Sequence, residues 1–240
     1  MPNRPWLHLL LEGPLLAFGG VRVDQFGPTR DFPAASMLVG LIGNALGWDR
    51  SDCEAHQRLQ GRLVFGARRE REFVGNLLVD FQNAKLGRYE RGWTTSGVPV
   101  GRDGASYKSV HRRERHYHMD LALRIVLRLE PGEGDPSIEE IAKAIERPAR
   151  PLYIGRKPCL PTGRIMQGWV AGKDAFSALV AAAPFETPLR AVWPEGSGPV
   201  TAPFADQVNR LTDVKNWSAG VHAGSRTVVE GWVHPARPQS

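Results

Sequence analysis

Glu12-Gly13-Pro14, Phe18-Gly19-Gly20 and Phe26-Gly27-Pro28-Thr29-Arg30-Asp31-Phe32-Pro33 separate an apolar strand pattern at Trp6–Leu11 from an apolar run that ends at Gly47. That run has helical spacing: Met37, Leu38, Leu41, Ile42 and Ala45 recur on one face of a 3.6-residue period. Pro33 suits the first helical position, because its missing N–H has no intrahelical partner there. Gly40 and Gly43 are poor helix formers, and close approach of another backbone is the expected reason for them. The linker carries Arg22 and Arg30 and ends at a helix N-terminus, where unpaired N–H groups and the dipole favour an anion. The same residues also fit an ordinary strand-to-helix connection with surface arginines.

Working outward, Ser51–Gln60 reads as a polar connection with room for a short helix. Arg62–Arg68 and Phe73–Phe81 read as two strands joined by the charged turn Arg69-Glu70-Arg71-Glu72. Regular structure is expected again from Asp120, where Leu121, Leu123, Ile125, Leu127 and Leu129 alternate along a half-buried strand. Ser137 and Glu140 form a capping-box pair ahead of a helix with Ile138, Ile141, Ala142 and Ile145 on its buried stripe, and Pro148 ends it. These strands and helices are read as a βαββαβ order. It predicts an α+β protein whose residues 1–150 form a ferredoxin-like or RRM-like sheet, with helices on one face and the other free to bind. Residues 151–240 are proline-rich and irregular, with strands at Thr187–Trp193 and Thr227–Val233. They are expected to pack on the first domain, since Trp193, Phe204, Trp217 and Trp232 need burial.

The 240 residues are 42% hydrophobic and 23% charged, as in a soluble globular protein, and 19 prolines with 26 glycines imply many turns. The formal net charge is +6. Between Lys85 and His118 there are eight Lys/Arg against three acids, so this segment alone carries +5 of that excess. Its cations are interleaved with Tyr89, Trp93, Tyr107 and Tyr117, a pattern that leans toward nucleic acid. Cys53 and Cys159 lack metal-ligand spacing. No apolar run reaches membrane-spanning length, and the N-terminus lacks the order of a signal peptide. A cytoplasmic protein without a membrane partner is expected.

Two segments hold candidate site residues. Tyr107, Lys108, His111, His116, Tyr117 and His118 are the types that supply a general base, a general acid and charge stabilisation for metal-free RNA cleavage. With Arg112, Arg113 and Arg115 they equally describe a strand that neutralises phosphates and stacks on bases. His116-x-His118 is a weak metal signal with no acidic or Cys ligand nearby in sequence. No P-loop, dinucleotide fingerprint, metalloprotease helix or nucleophile elbow is present, and no cofactor is expected. The second segment is Arg150–Cys159, where Tyr153, Gly155, Arg156 and Lys157 put an aromatic ring, a flexible glycine and two cations between prolines. That fits single-stranded RNA, or a rigid surface turn.

The combination resembles the CRISPR-associated CasD family, the fifth Cas family, as found in type I-E Cascade. The matching residues are Gly13-Pro14, Phe18-Gly19, Thr29-Arg30, Phe32-Pro33, Ser36, Gly40 and Gly47. They continue with Tyr153-Ile154-Gly155-Arg156-Lys157, Cys159, Asp213-Val214-Lys215-Asn216-Trp217, His222 and Arg226. The resemblance implies an RRM-like body with an inserted β-hairpin thumb at residues 82–118 and a β-rich C-terminal extension. It implies a subunit that caps the 5′ handle of CRISPR RNA and contacts the backbone and large subunits, meeting target DNA only through the complex. Arg22, Arg30, Ser36, Tyr107, Lys108, His111, Arg112, Arg113, Arg115, Tyr153, Gly155, Arg156 and Lys157 are the expected RNA-binding positions. In type I-C systems the corresponding protein is itself the metal-independent processing nuclease, whereas in type I-E a separate endonuclease does that work. The C-terminal match favours the non-catalytic alternative.

Overall fold

A computed structural model describes residues 5–20, 25–72, 75, 77–84, 92–93, 99–100 and 110–235. Among the described residues eleven strands and four helices follow in order: β1 (Pro5–Leu16), β2 (Phe26–Gly27), α1 (Ala35–Leu46), α2 (Cys53–Arg62), β3 (Leu63–Arg71), β4 (Leu77–Ala84), β5 (Gly92–Trp93), β6 (Pro99–Val100), β7 (His111–Leu129), α3 (Ile138–Glu146), β8 (Met166–Ala171), α4 (Ala175–Ala181), β9 (Leu189–Pro194), β10 (Ala205–Asn216) and β11 (Val221–Val233). Among the described residues nine strands form one sheet ordered β10-β11-β9-β3-β7-β1-β8, with β2 and β4 added on β7. All its pairings are antiparallel except that of β2 with β7.

Period-two alternation assigns the faces. Leu7, Leu9 and Leu11 of β1, with Leu121, Leu123, Ile125, Leu127 and Leu129 of β7, are buried in one core together with residues of α1 and α3. Trp6 and Val126 point the other way, into a second core with Ala175, Ala178 and Leu179 of α4 and with Trp193. The second face is therefore covered over that stretch, contrary to the expectation that helices would occupy one side only. Arg68 fixes the cover: it is fully buried, and its Nη1 and Nη2 donate to the carbonyls of Leu179 and Ala183 at the end of α4, at 2.6 and 3.2 Å. A buried guanidinium needs such acceptors, and Glu70, 2.7 Å from Nε, supplies the countercharge.

The expected charged turn at Arg69–Glu72 is strand as far as Arg71, and Phe73, Val74 and Asn76 lie outside the described residues. Arg69 is buried against Glu72 and Asp31. Salt-bridged arginines inside the ladder look like turn residues in sequence, because nothing local shows their partners. The long strand also begins earlier than expected, at His111 and not Asp120. Asp120 (φ 45°) marks where β7 changes partners, from β4 at residues 111–118 to β3 at 122–129. The capping box is formed as read: the Glu140 N–H donates to Ser137 Oγ, and the Ser137 N–H donates to Glu140.

The last third of the chain continues the sheet. β9 pairs with β3, and β8, beyond residue 150, is the outer partner of β1. Trp193 is fully buried and Trp217 partly so, whereas Trp232 remains 36% exposed. α1 starts two residues after Pro33, with Ala34 as its N-cap. Gly43 makes room for a side chain and not for a backbone: a Cβ there would lie 2.7 Å from His56 Nε2. His56 in turn stacks on Trp217 at 4.3 Å, which ties α1 and α2 to the end of β10.

Candidate nucleic-acid interface

β4 and the first half of β7 form a regular ladder from Leu77↔His118 to Ala84↔His111. Its two faces differ. Phe81 pairs with Glu114, and Glu114 pairs on its other side with Phe26, so these three share a face with Val79 and His116. Phe81 is 71% and Phe26 47% exposed, and His116 Nε2 lies 2.7 Å from Glu114. Arg113 and Arg115 occupy the opposite face, across from Gln82 and Asp80. Arg112 is exposed. Tyr107, Lys108 and Arg22 fall outside the described residues, and His111 is placed only as the start of the strand.

Two of the six catalytic candidates are core residues. Tyr117 is 4% exposed within the main core. His118 is 5% exposed, with Nε2 2.8 Å from the Arg30 carbonyl. Burial is the main influence on that imidazole and holds it below its ordinary pKa. Strand alternation alone did not reveal this, because what covers them is distant in sequence: Arg156 lies over the Tyr117 ring, and Phe18 and the Arg30 carbonyl meet His118. Among the described residues no group of three or more His, Cys, Asp or Glu is placed to hold a metal ion.

The second segment is brought onto the first. Arg156 donates from Nη1 to the His116 carbonyl at 3.0 Å and from Nη2 to the Gly27 carbonyl at 2.7 Å, and lies over the Tyr117 ring at 4.9 Å. Its guanidinium thus fastens the 153–159 turn to the base of the hairpin and to β2. Gly155, expected to be flexible, is locked: its φ is +87°, and a Cβ there would collide with the Ala17 carbonyl oxygen. Lys157 is exposed and Tyr153 half-buried on this turn. Cys159 closes it, accepting from Ile154 N–H and donating to the Arg156 carbonyl, and burial pushes its thiol pKa up.

The anion at the start of α1 belongs to the protein. Asp213, fully buried, accepts from the Ala35 N–H at 2.9 Å and from both Nε and Nη2 of Arg226. The first N–H of the helix thus already meets a carboxylate, which favours the ordinary strand-to-helix connection at this terminus. Around it, Ser36 Oγ lies 3.2 Å from His222 Nε2, and Arg30 donates to the Thr212 carbonyl at 2.9 Å. Burial first, then Arg30 and Lys215, lower the pKa of His222. Asp213 and Arg226 were legible only as matches to a family pattern; their pairing depends on β10 and β11 lying side by side.

A family model described as CRISPR-associated protein (Cas_Cas5) matches residues 6–229. The CRISPR system Cascade subunit CasD of Escherichia coli (strain K12) is 28% identical over 177 residues, 74% of this chain and 76% of that protein. Among solved structures, a CRISPR RNA-guided surveillance complex chain has a TM-score of 0.65 at 22% identity, covering 97% of this chain and 95% of that one. A structure described as a Cas protein has a TM-score of 0.61 at 24% identity, covering 98% and 100%. With the large antiparallel sheet of those structures and a family match over nearly its whole length, the chain belongs to the CRISPR-associated Cas5 family.

Proposed function

We propose that the chain is a non-catalytic RNA-binding subunit of a type I-E Cascade-type CRISPR surveillance complex, acting in the cytoplasm. In this reading β3, β7, β1 and β8 with α1 and α3 are an RRM-like body, and the β4/β7 hairpin with the residues between is a thumb. It caps the 5′ handle of CRISPR RNA and contacts the backbone and large subunits, meeting target DNA through the complex. The supporting observation is the Arg156 clamp, which unites two basic segments about forty positions apart. Arg156 and Gly155 then act as positioning residues. Arg112, Arg113, Arg115 and Lys157 supply charge to phosphates, and Tyr153 a ring for a base. Ser36, Arg30, Arg22, Tyr107, Lys108 and His111 complete the proposed surface.

The test measures binding of a single-stranded handle RNA to the purified chain across salt concentrations. If about five phosphates are neutralised, log K falls against log salt with a slope of roughly −3 to −4. Arg112→Glu with Lys157→Glu should weaken binding and flatten that slope. An unchanged slope overturns the reading. Repeat RNA incubated with the chain in EDTA should stay intact, and a discrete product lost in Tyr107→Phe, Lys108→Ala or His111→Ala would make the protein a metal-independent processing nuclease.

A further inference from the structure

Far from the hairpin, β8 closes the sheet on one side, with no strand beyond it among the described residues. A groove of about 720 Å³ runs between this edge and α3, lined by Ala142, Lys143, Ala144, Glu146, Arg147, Arg164 and Met166. Its floor is apolar, since Ala142 and Met166 belong to the main core. Its rim is cationic: Lys143, Arg147 and Arg164 are all exposed, against Glu146, which Arg164 grips from Nε and Nη2 at 2.9 and 2.7 Å. Trp169, on the same edge strand, pairs with Leu7 and so lies on the α3 side, 44% exposed.

We infer that this groove docks an acidic, partly apolar segment of another protein subunit. Three exposed cations, one of them already paired with Glu146, stand over an apolar floor and attract carboxylates, and an exposed tryptophan beside them is a common anchor of protein interfaces. A nucleic acid fits less well. The groove lies at the C-terminal end of α3, where the last carbonyls and the negative end of the helix dipole favour N–H donors over phosphates. A polypeptide brings N–H donors together with its carboxylates, whereas a phosphodiester brings only negative charge.

The inference rests on the chain being part of a multisubunit complex, not on its binding RNA. The co-expressed, purified complex is the material, with a photo-crosslinking phenylalanine analogue in place of Lys143. The expected product is a cross-link to a protein segment carrying at least two Asp or Glu residues. In Lys143→Glu/Arg147→Glu/Arg164→Glu, retention of that subunit should fall several-fold and should weaken further with salt, while handle RNA binding by the isolated chain is unchanged. Lys143→Gln/Arg147→Gln/Arg164→Gln should lose less. Cross-links to RNA, to a second copy of this chain or to nothing overturn the inference, as does full subunit retention in the charge-reversed variant. Loss of RNA binding by the isolated variant also counts against it. A failure of the complex to hold CRISPR RNA at all would instead overturn the proposed function.

Discussion

Two long hairpins leave the central sheet, and both are rich in polar residues, yet they are held in different ways. β10/β11 lies against the helices. Asp213 joins α1, Arg226 joins Asp213, and the Gln60 side chain pairs with Lys215 as a strand would, donating to its carbonyl at 2.7 Å and accepting from its N–H at 3.0 Å. β4/β7 is fastened at its base by Arg156 and His118, and beyond that it shows Leu77, Val79 and Phe81 to solvent. A charged side chain reports its role only through its partner: Arg226 holds the fold together, whereas Arg112 stands out from it.

The largest test of this contrast is Asp213→Ala, which strips the helix of its anion and leaves Arg226 unpaired. Removing one member of a buried pair costs about 3–5 kcal/mol, measured by urea denaturation; a loss near that of an exposed pair would mean Arg226 finds another acceptor. Gln60→Ala comes next. It exposes two backbone groups of β10, for an expected loss of about 1–3 kcal/mol, and Gln60→Glu should restore only the accepting half.

A pH series sharpens the contrast inside the sheet. His8 is 6% exposed, and burial, followed by Arg124 and Arg68, lowers its pKa to about 4. The unfolded state therefore binds this proton more tightly, so stability is full above the unfolded value near 6.5 and declines as pH falls toward 4. His118 and His222, also lowered, act in the same direction. Thermal midpoints between about pH 7 and about pH 4 should fall less steeply in His8→Gln; an unchanged slope would assign the effect to the other two. The smallest effect is expected at Phe81→Ser, whose ring is 71% exposed, and stability should move by no more than about 0.5 kcal/mol. A large loss would show that the projecting hairpin is structural after all.

Several elements were missed for physical reasons. β10 alternates with polar residues at an edge, so its pattern carries no apolar period. α4 is only seven residues long, although its Asp174/Ser177 capping box was a readable signal. β8 is short and interrupted by a register shift opposite His8/Leu9. Of the site, the basic segment and the 153–157 turn could be read directly, but their meeting could not.

By itself the sequence determined the first strand, α1, the alternating half of β7, the capped α3 and the concentration of charge between residues 85 and 118. Each follows from apolar spacing or local backbone chemistry within a few residues. Only the tertiary structure decided that Asp213 fills the helix N-terminus, that Arg68 closes the second face, and that Arg156 joins two distant segments. Those choices rest on pairing between groups far apart in the chain, where burial makes one specific partner necessary and no local pattern names it.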